Sequence, residues 1–142
     1  EALYIGGGGV LVVADNSSIV NAHSGRTGGC LYVFNGFVTI TNGSSIVNAS
    51  AMNQAGALAV ETGVITVSNG SSIHNSNTGA EGGALYVIGG NLIVTHSSIV
   101  NSRAQFGGLA YVSRGTLTIG MGYMIANSAA YLPGGAFFVA GG

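Results

Sequence analysis

The sequence predicts an all-β, right-handed parallel β-helix, a solenoid of about five coils of 25–27 residues with three short strands per coil. Three observations predict it. Three different short segments each return at close to 27 residues, every one of them carries period-two apolar patterning, and the stretches between them are rich in Gly, Asn and Ser. No apolar pattern of helical period competes. Strand triplets that come back in phase cannot bury their inner faces alone, whereas stacked triplets supply one another with hydrogen bonds and core. Adjacent coils are then expected roughly 4.8 Å apart.

The first strand of each coil follows a glycine corner: GGCLYV from Gly28, AGALAV from Ala55, GGALYV from Gly82, GGLAYV from Gly107 and GGAFFV from Gly134. Side chains alternate along an extended backbone, so Leu3, Leu31, Leu58, Leu85 and Phe137 are expected inside with Ile5, Val33, Val60, Val87, Val112 and Val139. The glycine pairs fit a tight corner that needs positive φ or close backbone approach. Cys30, aligned with Ala57, Ala84 and Ala136, reads as a buried small hydrophobe.

The second strand is β-branched: VLVV from Val10, VTI from Val38, VITV from Val64, LIV from Leu92 and TLTI from Thr116. Its inward columns are Leu11, Val38, Ile65, Leu92 and Leu117, then Val13, Ile40, Val67, Val94 and Ile119. The third strand reads SSIVN from Ser17, Ser44 and Ser97, SSIHN from Ser71, and YMIAN from Tyr123. Ile19, Ile46, Ile73, Ile99 and Ile125 are expected inside. Two residues on, with the same parity, Asn21, Asn48, Asn75, Asn101 and Asn127 are expected to form an inward asparagine ladder whose stacked amides satisfy one another.

Composition narrows function. The acidic residues are Glu1, Asp15, Glu61 and Glu81, the basic ones Arg26, Arg103 and Arg114. Three arginines do not make a nucleic-acid groove or a polybasic membrane patch, and every apolar run stops short of the roughly 18 residues of a spanning helix. A lone Cys30 closes no internal disulfide.

Enzymatic β-helices that act on glycosidic bonds want paired carboxylates, but Asp15, Glu61 and Glu81 fall at different points of the coil. His23, His74 and His96 share no coil position and have no ligand-spaced partner. Gly6 to Gly9 lacks the lysine ending and the following helix of a phosphate loop and reads as a turn. The reading is therefore of no enzyme, no catalytic residue, no metal and no cofactor.

Two outward features point to contacts. Tyr4, Tyr32, Tyr86 and Tyr111 share an outward column with Ala59 and Phe138, expected to form an exposed aromatic stripe suited to ring stacking between coils, to protein docking or to sugar. Val20, Val47 and Val100 also face out and favour sideways assembly. N-x-[ST] acceptors stand at Asn16, Asn42, Asn48 and Asn69. Asn16, Asn42 and Asn69 are expected in equivalent turns and would carry any glycans, sparing Asn48. Asn-Gly-Ser is also simply good turn chemistry. Thr39, Thr66 and Thr118 share a further outward column, but Val12 and Ile93 interrupt it, so it makes no regular threonine grid of an ice-binding kind.

The repeated GGA-L or GGA-F element, preceded by Ile-x-Asn, resembles the repeats of chlamydial polymorphic outer membrane proteins and the passenger domains of autotransporter adhesins, and also β-helix proteins of algae and protists. Gly82 to Leu85 matches the GGA[ILV] element fully, Gly134 to Phe137 loosely, and Gly28 to Leu31 carries Cys for Ala. Ile-x-Asn stands where that family has Phe-x-x-Asn. The resemblance spans nearly the whole chain and implies exposure at a cell surface with adhesive or scaffolding work.

The expectation for residues 1–142 is one solenoid segment of a longer polypeptide, uncapped at both ends and prone to pair end to end. Its expected setting is extracellular or at the cell surface, and its expected role is a stalk, filament or surface-layer block. Its expected partners are other copies of itself, other surface proteins or carbohydrate, with no nucleic acid and no membrane insertion of this segment. An adhesin or glycan-binding surface is the alternative, ahead of a non-catalytic part of a polysaccharide-active enzyme or an ice-binding solenoid.

Overall fold

A computed structural model describes residues 3–122, 124–132 and 134–140. Tyr123, expected to open the last Ile-x-Asn segment, lies outside the described residues. Every strand pairing in the described chain is parallel, and the strands stack as a β-helix of about five coils. The described residues contain no helix.

Three sheets run along the axis, but they divide the coil differently from the expectation. The first and second segments belong to one large sheet, and in two coils they are a single strand, Leu31–Ile40 and Leu58–Val67. Elsewhere a short break separates them, as between Leu85–Val87 and Asn91–Val94. The second sheet is built from the Ser-Ile-Val segments Ser18–Val20, Ser45–Val47, Ser72–His74, Ser98–Val100 and Met124–Ala126. A third sheet follows each ladder asparagine and consists of two-residue strands: His23–Ser24, Ser50–Ala51, Asn77–Thr78, Arg103–Ala104 and Ala129–Ala130. Strands of two residues hold too little sequence to show alternation, which is why period-two reading missed them.

Like meets like between coils. Leu3 pairs with Leu31, Leu31 with Leu58 and Leu58 with Leu85, while Ile19 pairs with Ile46, Ile46 with Ile73, Ile73 with Ile99 and Ile99 with Ile125. Leu31, Leu58, Leu85, Ile65, Leu92, Ile46, Ile73 and Ile99 are fully buried in one continuous core. Each such side chain is worth roughly 1.5–3 kcal/mol relative to exposure. Cys30 is buried among them, and burial pushes its thiol up to about 12. One coil swaps volumes between adjacent positions: Ala110 takes the leucine place opposite Leu85, and Leu109 takes the small place opposite Ala84, both fully buried. The swap conserves the volume of the pair, the kind of change a close-packed core tolerates best.

The two residues of each corner, both glycine except where Ala55 precedes Gly56 with φ 53°, have separate jobs. Gly28, Gly82 and Gly107 carry positive φ of 66°, 70° and 57°. Gly29, Gly56, Gly83 and Gly108 sit where the corner meets the third sheet: a Cβ on Gly83 would stand 1.9 Å from the Gly108 carbonyl oxygen and 2.7 Å from the Arg103 amide nitrogen.

The asparagine ladder exists and faces outward, not inward. Asn21, Asn48, Asn75, Asn101 and Asn127 are all exposed, with φ between 54° and 58°. Parity counting assumes continuous extended backbone. One left-handed residue reverses the phase, so the asparagine stays outside while the next position, Ala22, Ala49, Ser76 or Ser102, turns into the interior.

Candidate functional site

The tyrosine column lies on the large sheet as expected, in the register Tyr4, Tyr32, Ala59, Tyr86, Tyr111, Phe138. It is not a continuous exposed stripe. Tyr4 is 54% exposed, but Tyr86 is only 8% exposed. Ala59, fully buried, splits the column into two stacks. Tyr4 stacks on Tyr32 with centroids 5.8 Å apart, Tyr86 on Tyr111 at 5.3 Å, and Tyr111 on Phe138 at 5.0 Å. Phe106 meets Phe138 edge-on at 5.6 Å. Each ring of the column stacks on a neighbour, which parity alone could not reveal, and Ala55, Ala59 and Tyr86 close into a small apolar cluster against Tyr32, Ile88 and Tyr111.

A polar column runs beside these rings. Thr27, Gln54, Glu81 and Phe106 are joined coil to coil by isolated parallel bridges. Thr27 Oγ1 donates to Gln54 Oε1 at 2.9 Å, Gln54 Nε2 donates to Glu81 Oε2 at 2.8 Å, and the same amide lies 3.4 Å from the Tyr86 hydroxyl. The Tyr32 hydroxyl donates to the Glu61 carboxylate. Both glutamates therefore meet the tyrosine column, a convergence not anticipated from the sequence. Its only signal was the 27-residue step from Thr27 to Gln54 to Glu81. Burial first, then Glu81 and Tyr111, push the Tyr86 phenol up to about 12, and burial with Glu81 also raises Tyr111.

The outward asparagines form the second feature. Asn48 Nδ2 donates to Asn21 Oδ1 at 3.1 Å, Asn75 to Asn48 at 3.0 Å, Asn101 to Asn75 at 2.9 Å and Asn127 to Asn101 at 3.1 Å. Across the corner a second column runs parallel to the ladder in the register His23, Ser50, Asn77, Arg103, Ala129. His23 Nδ1 and Ser50 Oγ are 2.9 Å apart within it. Between the two columns lies an open cavity of about 450 Å³, lined by Asn75, Ser76, Asn77, Asn101, Arg103 and Asn127.

The glycan acceptors Asn16, Asn42 and Asn69 are exposed in one turn column, but Asn16 is not the strict equivalent of the other two. Asn42 Nδ2 donates to Asp15 Oδ1 at 3.3 Å, and the Asn16 amide donates to the Asn42 carbonyl as the Gly43 amide does to that of Asn69. Asn42 and Asn69 thus align with Asp15, and Asn16 aligns with Gly43. The interval from Asn16 to Asn42 is 26 residues where the local coil is 27, and that single residue is the displacement. His74 sits on the outer face of the second sheet in register with Val47 and Val100, and His96 in a turn with φ 47°.

No protein-family model matches this chain, nor does any curated protein or solved structure.

Proposed function

We propose that this chain is a structural segment of an extracellular or cell-surface protein, a stiff β-helical spacer that touches copies of itself or other surface proteins through its outward apolar columns. The observation that carries this reading is the asparagine ladder, unbroken from Asn21 to Asn127 and parallel to three sheets whose hydrogen bonds all run along the same axis. Stretching or bending such a rod loads many parallel bonds together, so its stiffness comes from the backbone itself. Support for the contact role comes from the large sheet, where Val10, Val12, Phe34 and Phe37 are exposed on the first two coils and Val10 pairs with Phe37, since exposed apolar groups brought together mark contact surfaces.

The test has two arms. Protease shaving of intact source cells should release peptides of this chain, and force spectroscopy of the chain between marker domains should show resistance well above that of the markers. Peptides recovered only after lysis would overturn the surface assignment. Unfolding at forces below those of the markers would overturn the spacer role.

A further inference from the structure

We propose that the groove between the asparagine ladder and the Arg103 column is a binding site for an anionic polysaccharide of uronate type, lying along the solenoid axis. This site stands apart from the spacer role and does not depend on it.

The ladder leaves half of each amide unused. An asparagine amide has two N–H donors and an oxygen with two lone pairs, and the rung-to-rung bonds take one of each from Asn48, Asn75 and Asn101. Each inner rung therefore presents one spare donor and one spare acceptor on an exposed face, and the pair repeats once per coil, about every 4.8 Å. Hydroxyl groups both donate and accept, so a polyol with a matching repeat meets every rung in the same way. A pyranose ring with its glycosidic oxygen spans close to one coil rise. An extended peptide, at about 3.3 Å per residue, drifts out of step after one rung.

Arg103 supplies the charge. Its guanidinium makes no ion pair or hydrogen bond among the described residues, in a chain with only three arginines, and it lines the cavity directly beside Asn77 and Asn101. A planar guanidinium pairs with carboxylate oxygens two at a time. The facing column puts Asn77 beside Arg103 in the cavity and continues in register through Ser50 to His23, so the column is polar over four coils. On the tyrosine face the rings stack on one another and no arginine stands in the column.

The experiment is calorimetric titration of the whole chain with polygalacturonate oligomers, with the fully methyl-esterified oligomers and with poly-glutamate of similar charge. Binding of the free-acid oligomers is expected, weakened about tenfold by esterification and about tenfold by Arg103→Gln, the loss of one charge-assisted pair. Arg114→Gln, on a loop away from the groove, should leave it unchanged. Absence of binding, equal binding of poly-glutamate, or equal losses in the Arg114 and Arg103 variants would each overturn the proposal. Failure of the shaving or pulling measurements would leave this titration unaffected.

Discussion

Asn101 donates its side-chain amide to Asn75 across one coil at 2.9 Å, although 26 residues separate them in the chain. Asn75 in turn donates to Asn48 at 3.0 Å. Both bonds depend on φ of 54° at Asn75, a conformation that asparagine tolerates and alanine resists.

Replacing Asn75 thus separates two contributions. Asn75→Ala loses two ladder bonds, about 1–3 kcal/mol together, and adds left-handed strain of about 1–2 kcal/mol. Asn75→Gly loses the same bonds without the strain. Urea denaturation should rank wild type above the glycine variant and the glycine variant above alanine; equal stability of the two variants would show that the backbone conformation is not at issue.

Gly83 gives the sharper backbone test. A methyl group there meets the carbonyl of Gly108 and the amide of Arg103 at distances no packing accommodates. Gly83→Ala should lose more than about 3 kcal/mol or fail to fold, whereas Gly25→Ala, with nothing within 4 Å of the added carbon, should stay near wild type. Circular dichroism and a denaturation midpoint decide it, and a native-like Gly83→Ala would contradict the close approach.

Ser76 and Ser102 turn inward after the ladder where the first two coils have Ala22 and Ala49, and their buried hydroxyls have no partner among the described residues. An unsatisfied buried hydroxyl costs about 1–3 kcal/mol. Ser76→Ala, copying the chain's own choice two coils earlier, should raise stability by about 1 kcal/mol; a lower urea midpoint would contradict this.

Tyr86 makes stability depend on alkaline pH. Its phenol is raised to about 12 in the folded chain against an ordinary value near 10, by burial first and by Glu81 and Tyr111 after it. The unfolded chain therefore releases this proton first. The contribution is fully present below about pH 10 and is lost as pH rises toward about 12. Spectrophotometric titration should show a late-ionising phenol that moves earlier in Glu81→Gln, and an unshifted titration in that variant would remove Glu81 as a cause.

Most of the architecture was readable from spacing alone. Leu31, Leu58 and Leu85 and the five isoleucines from Ile19 to Ile125 stack as their 26- and 27-residue steps require. What escaped were features that periodicity does not encode. The third sheet is too short to alternate. A single left-handed residue at Asn21 and its equivalents inverted the inside and outside of the ladder. Ala59, one small residue in an aromatic column, let Tyr86 sink to near burial and broke the stripe in two. The Glu81 and Gln54 contacts depended on side-chain reach across coils, which spacing aligns but does not measure.

The register between Leu31–Ile40 and Leu58–Val67 returns to the same phase after one whole turn, with the local slips at Phe34 and Gly36 cancelling within the strand pair. A tandem duplication of one such turn, spliced in frame between the second and third, would leave every neighbour facing a copy of its usual counterpart. Length is consequently a quantity that recombination can edit in whole units, while the cross-section remains the same.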